Sequence, residues 1–299
     1  PGIPGKYFTM NLQPTRCVRL SRLLPGLVLG QLLSAALYLG QAAGTDDASD
    51  GLTALQIIDK AGEAAKRNGK GAAIFTYLRK ARVEDIDSDG NTRKAYTKTY
   101  RAYTNGRDQE LISVDGQPAS PKQIGREREK NRKQQRRYLA RSEESDSGRN
   151  ENLINKNTDL FREKFTPVLS GRKLANSRSA YVIELQPNTS HKLKNRTLNR
   201  LMNQLDAEIW VDREEFQVAK IEAKLKEPVS FLGGLAGAVK AINITVSQKR
   251  LAPDTWIDES VSANFDVRVF WKNYKFRMKS QSSKIEPAPP RTHSPEQKN

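Results

Sequence analysis

The stretch Leu205–Met278 decides the fold through four segments: Leu205–Asp212 (LDAEIWVD), Glu215–Leu225 (EFQVAKIEAKL), Ala241–Arg250 (AINITVSQKR) and Thr255–Met278 (TWIDESVSANFDVRVFWKNYKFRM). In the first, Leu205, Ala207, Ile209 and Val211 alternate with Asp206, Glu208 and Trp210, which is the period of a strand with one apolar face. Asp212 to Glu215 supplies a polar turn, and Phe216 and Val218 resume the pattern before it moves to Ile221, Ala223 and Leu225. The parity slips by one residue between Val218 and Ile221, as a β-bulge requires, and bulges let a sheet curl. Ile242, Ile244 and Val246 alternate again, and Ala252-Pro253-Asp254 turns the chain into Ile257, Val261, Ala263 and Phe265. Trp271 shares the parity of Phe265 and is expected on the same face, whereas Trp210 falls on the polar parity. Between these strands, Phe231–Val239 is apolar and glycine-rich, and reads as a loop or short helix plugging the interior. The expectation is a curved antiparallel sheet whose apolar face needs a cover.

Trp210-Val211-Asp212 closing one strand, a strand from Phe216, a central strand leading to Lys249-Arg250 and a turn into Trp256 resemble the periplasmic lipoprotein-carrier (LolA/LolB-like) superfamily. The resemblance covers roughly Leu52 to Ile285. It implies an α+β fold: a curved, unclosed antiparallel β-barrel covered by helices, following an N-terminal signal peptide. It also implies an apolar cavity for acyl chains, here lined by Ile209, Ile221, Ile244, Val261 and Phe265. The chain departs from the family in carrying a long basic insertion and in matching no diagnostic lipid-contacting motif.

The 299 residues carry 51 Lys and Arg against 34 Asp and Glu, a formal charge of +17 that asks for an anionic partner or surface. Arg16, Arg19 and Arg22 precede an apolar run from Leu23 to Leu39, and small residues follow from Gly40 to Gly44. This is the pattern of a secretory signal, cleaved between Gly40 and Asp46, with residues 1–9 lying upstream of Met10; an uncleaved membrane anchor is the alternative. Residues 1–43 hold Lys6 and three arginines but no acid, so the basic excess belongs mostly to the remainder. The single cysteine, Cys17, lies in the same segment, so cleavage leaves no disulfide. Export to the periplasm or cell envelope follows.

From Gly44 to Ile285 one carrier-like domain is expected, with a helical insertion at 120–145. Thr53 opens an amphipathic helix that presents Leu52, Leu55, Ile57, Ile58, Ala61 and Ala64 and ends at Asn68-Gly69. Strands follow through Val83, around Tyr96 and Tyr100, and over Glu110–Val114. Asp85, Asp87, Asp89 and Gly90 imitate half a calcium loop, but Tyr96 stands where the closing Glu belongs, so a hairpin turn is favoured. Ser120-Pro121 then starts a helix with nine cations against Glu127 and Glu129 up to Arg141. Arg132, Lys133, Arg136 and Arg137 are its candidate contacts with an anionic membrane surface or envelope polyanion, set against a plain solvated helix. Leu153, Ile154, Leu160, Phe161 and Phe165 suggest a second helix, stopped by Pro167. Ala180–Leu185 is a strand, Lys192–Arg200 a basic loop, and residues 286–299 a Pro-rich disordered tail.

No catalytic constellation emerges. The two histidines, His191 and His293, lie in a loop and the tail, and Gly233-Gly234-x-x-Gly237 lacks the Lys and Ser/Thr of a phosphate loop. No cofactor or metal is expected, and a signal peptide argues against nucleic acid as the partner of the basic residues. The leading expectation is a non-catalytic carrier or sorting protein that binds lipid or lipoprotein acyl chains in its cavity. The alternatives are a structural or signalling envelope module with a filled barrel, and an exported hydrolase using two facing acids.

Overall fold

A computed structural model describes residues 51–68, 74–104, 109–146, 163–193, 195–231 and 237–288. The expected signal peptide, and Leu153, Ile154, Leu160 and Phe161 of the expected second helix, lie outside them. Among these residues three runs of sequentially adjacent strands join into one antiparallel sheet of twelve strands. In chain order the strands are β1 (Phe75–Ile86), β2 (Thr92–Tyr103), β3 (Glu110–Val114), β4 (Gln117–Pro118), β5 (Phe165–Ala175), β6 (Arg178–Pro187), β7 (Leu205–Asp212), β8 (Val218–Leu225), β9 (Val229–Phe231), β10 (Gly237–Ala252), β11 (Thr255–Val269) and β12 (Lys272–Pro287). The helices are α1 (Ala54–Arg67), α2 (Pro121–Asp146) and α3 (Arg196–Asn203). The strand order is β4-β3-β2-β1-β12-β11-β10-β8-β7-β6-β5, with β9 paired to β10, and the sheet is curved and unclosed, with β4 and β5 as its edges.

The curl has the origin that the parity slip implies. Trp210 pairs with Lys220 but Val211 pairs with Val218, which leaves Ala219 as the bulged residue. Asp87 makes the β1–β2 turn, its Oδ1 accepting from the amides of Asp89 at 3.0 Å and Asn91 at 2.8 Å. That carboxylate organises backbone, as a hairpin turn requires.

α1 fits the concave side because its ends are fixed. Thr53 and Gln56 form a reciprocal capping box, with Gln56 Oε1 accepting from the Thr53 amide at 2.8 Å. At the other end Asn68 Oδ1 accepts from the Trp256 amide at 2.8 Å, and buried Gln217 donates to the Ala64 carbonyl at 2.6 Å. Between them Ile57 and Ile58 are fully buried in the main core with Phe165, Ile183, Val211 and Ile242.

Several local expectations are corrected. Phe165 and Pro167 lie in β5, not in a helix stopped by proline. β5 is an edge strand, where a missing amide donor costs little, so Pro167 is accommodated opposite Leu185. The basic loop over Lys192–Arg200 turns at its end into α3, because Asn195 caps it by accepting from the Leu198 amide at 3.0 Å. Phe231 and Gly237–Val239 are paired strand residues, so the ends of that apolar segment are neither loop nor helix. β12 continues to Pro287, past the expected start of the tail at Glu286.

Parity holds for Trp210 and fails for Trp271. Trp271 is 83 % exposed, because the chain reverses at Phe270-Trp271 and the expected continuous strand is a hairpin. Trp210 is buried although it points away from the main core. The opposite face carries a second cluster of Ala175, Ala180, Val182, Trp210, Ala219 and Trp256. Lys220 and Lys173 lie over the Trp210 ring at 4.3 and 5.1 Å.

Candidate functional site

Directly paired residues in an antiparallel sheet point to the same face, so the register can be followed across the strands as rows. One row reads Ile183, Ile209, Ile221, Val246, Val261, Ser280, Ala81 and Lys98. The next reads Leu185, Ala207, Ala223, Ile244, Ala263, Met278, Val83 and Tyr96. A third contains Ile242, Phe265, Phe276, Asp85 and Lys94. These rows form the concave face.

The five residues expected to line a cavity all stand on these rows. Ile209, Ile221, Ile244 and Phe265 are buried in one cluster, and Val261 is half-buried against it. Phe265 stacks on Phe276 with ring centroids 4.7 Å apart. Burial changes along each row. From β6 to β10 the side chains are covered, and α1 packs on β5 and β7. From β12 to β2 the apolar residues Met278, Phe276, Ala81, Val83 and Tyr96 are only half-buried. The apolar face therefore extends beyond its fully packed part and ends at Lys98 and Lys94.

α2 meets the sheet at that polar end. Glu127, the buried acid of this cationic helix, accepts from Lys98 Nζ at 2.7 Å, from Lys130 Nζ at 2.9 Å and from the Tyr100 hydroxyl at 3.2 Å. Burial opposes ionisation of Glu127, but the bonds and charges of Lys98 and Lys130 outweigh it and hold the carboxyl down at about 2. Burial, and then the neighbouring Glu127 carboxylate, push the Tyr100 phenol well above its ordinary range, so it donates as a neutral hydroxyl. Arg79, opposite Tyr100, donates to the Tyr77 hydroxyl at 2.9 Å.

The candidate surface cations of α2 stand apart from these rows. Arg132, Lys133 and Arg136 are exposed. Lys133 and Arg132 lie 3.4 and 3.9 Å from Glu129 on the same helix. The side chain of Arg137 lies outside the described residues.

Ala81, Val83, Tyr96, Lys98 and Glu127 join these rows or their polar end without being among the expected site residues. Ala81, Val83 and Asp85 show a strand's period, and Glu127 interrupts a run of cations; both were visible signals. What was hidden is that β1 pairs with β12, which brings the two ends of the sequence together.

The carboxylates around the β7–β8 turn have structural partners. Asp212 receives Arg178 at 2.7 Å, and Glu214 receives the same guanidinium at 2.8 Å. Glu215 binds Arg250 and accepts from Trp256 Nε1 at 2.8 Å. Asp206 and Glu208 face away from the core rows, beside a depression of ≈ 220 Å³ that Glu222, Lys224, Asn243 and Thr245 also line. Among the described residues, no three His, Cys, Asp or Glu side chains are grouped to hold a metal ion.

No protein-family profile and no curated protein matches the chain. Among solved structures it is similar to a LolA superfamily protein from Nitrosomonas europaea, at 11% identity and a TM-score of 0.29 over 81% of this chain and 96% of that one. It is also similar to an outer membrane lipoprotein-sorting protein domain from Vibrio parahaemolyticus, at 11% identity and a TM-score of 0.28 over 80% and 93% of the two chains. The MucA/MucB complex of Pseudomonas aeruginosa matches at 9% identity and a TM-score of 0.25, over 79% of this chain and 99% of that one.

Proposed function

We propose that this chain is an exported, non-catalytic carrier or sorting protein that holds acyl chains of lipid or lipoprotein on the concave face. The observation carrying this reading is the half-buried apolar strip of Val261, Phe276, Met278, Ala81 and Val83, continuous with the main core. A methylene chain laid along it transfers apolar surface from water at about 0.8 kcal/mol per buried CH₂. At the strip's polar end Lys98, Lys94, Arg79 and Lys130 outnumber Glu127 and Asp85, a balance that favours the charge of an anionic headgroup. The signal-like segment before Gly44 supports export, and the cations of α2 suit an anionic envelope surface.

The filled-scaffold reading has its own support in Ile57 and Ile58 of α1, which are fully buried and occupy the concave side. The two readings differ at the strip, which a filled scaffold leaves without a ligand. Native mass spectrometry of protein recovered from exporting cells separates them. The carrier reading expects a lipid adduct that delipidation removes and added fatty acid restores. Protein that neither carries lipid nor takes it up overturns it.

A further inference from the structure

Phe270 and Trp271 form the two-residue loop between β11 and β12, beyond the last pair Val269–Lys272. They are 57 % and 83 % exposed, whereas Trp210 and Trp256 are buried. The two rings lie against each other, centroids 5.8 Å apart, so the tip presents one apolar knob. Phe270 holds φ 52°, a left-handed conformation that a bulky residue rarely adopts and that such loops usually give to Gly or Asn. Neither the exposure nor the strain contributes to folding stability, and strain of this kind collects at functional sites.

Exposed cations stand beside the tip, and the acidic turn of Asp87 and Asp89 shares this end of the sheet, its Ser88 carbonyl accepting from Lys275 Nζ at 3.3 Å. Lys272 is exposed, and Lys240 reaches the tip by donating to Asn273 Oδ1 at 3.1 Å. Asp266, the acid on the adjoining strand, faces Lys275 at 3.8 Å. More cations share this end of the sheet. Val269 pairs with Gly237, Gly237 pairs with Phe231, and the adjacent Ser230 carbonyl accepts from Arg200 of α3 at 3.3 Å. Lys192, Arg196 and Arg200 are exposed, and no acid occurs between residues 192 and 200.

We propose that the Phe270–Trp271 tip is a docking wedge that enters the headgroup–acyl boundary of an anionic lipid surface while Lys240, Lys272 and Arg200 meet the headgroups. Trp271, an apolar ring with one polar N–H, favours that boundary, Phe270 adds apolar area, and lysines and arginines add attraction to anionic leaflets. A convex tip of two residues offers far less than the area of a stable protein interface, which favours lipid over a protein partner. The wedge is distinct from the acyl-binding strip and adds a delivery surface to that reading.

The test uses the purified protein with vesicles of phosphatidylglycerol and phosphatidylcholine, some carrying brominated acyl chains. Trp271 is the exposed one of the three tryptophans, so docking should shift emission to the blue and brominated chains should quench it. The Phe270→Gly, Trp271→Ser double variant relieves the strained φ and should stay folded. It should bind these vesicles about tenfold more weakly, the loss expected from withdrawing roughly one buried ring. The same variant should take up a soluble fluorescent fatty acid like the parent, which separates this proposal from the acyl-binding one. Equal vesicle affinity of variant and parent, or parent emission unchanged by vesicles, overturns the wedge.

Discussion

Glu127 of α2 accepts from Lys98 of β2 at 2.7 Å, and this contact ties the basic helix to the polar end of the concave face. Its carboxyl is held at about 2, below the usual 4.5, so its contribution is fully present above the usual value and is lost as pH falls through about 2. Pepsin cleavage within α2 should therefore increase between about pH 4.5 and pH 2, before the main core opens. Glu127→Gln should loosen the helix at neutral pH by about 2 kcal/mol, the scale of hydrogen bonds to a charged group, and should remove the acid dependence. Equal α2 cleavage in parent and variant across this range would show that the contact does not hold the helix.

Ile244 is 3 % exposed and lies between Ala223 and Ala263 on the second row. Ile244→Asp places a carboxylate among apolar neighbours and should cost several kcal/mol, whereas Ile244→Val should cost about 1 kcal/mol. Urea unfolding followed by circular dichroism measures both. An Asp variant as stable as the parent would refute the face assignment.

The cations of α2 should attract anionic vesicles in a salt-dependent way, since exposed charges are screened over about 10 Å at 0.1 M salt. Changing Arg132, Lys133, Arg136 and Arg137 together to Gln should weaken vesicle binding severalfold and flatten its salt dependence, with the fold unchanged because exposed helical sites accept Gln. Vesicle sedimentation at two salt concentrations reads both. Parent-like behaviour of the variant makes α2 a solvated helix only.

How much of this was legible follows from locality. The alternation in Leu205–Val211 and the slip before Ile221 gave the strands and the bulge, because both are local patterns. Thr53 and Asn68 bounded α1 for the same reason. Phe165–Pro167 misled because a helix-like apolar spacing meets a proline, and only its place at a sheet edge makes the strand acceptable. Trp271 misled because parity cannot reveal a two-residue reversal that lacks Gly or Asn. That Ile209, Ile221, Ile244, Val261 and Phe265 share the core-facing side was readable from parity alone. The strip they lead into depends on the β1–β12 pairing, a long-range relation that local periodicity does not encode.

That strip is the most direct place to test acyl binding. Val83 is half-buried opposite both Met278 and Tyr96, so Val83→Asp puts a charge in the proposed path of the chain while leaving the packed core under α1 untouched. Titration with a fluorescent fatty acid in the absence of vesicles should give saturable uptake by the delipidated parent. For Val83→Asp, the affinity should fall by at least about tenfold, because a desolvated carboxylate costs more than about 1.4 kcal/mol. Uptake by the Asp variant equal to that of the parent, or no uptake by the parent, would contradict acyl binding on this face.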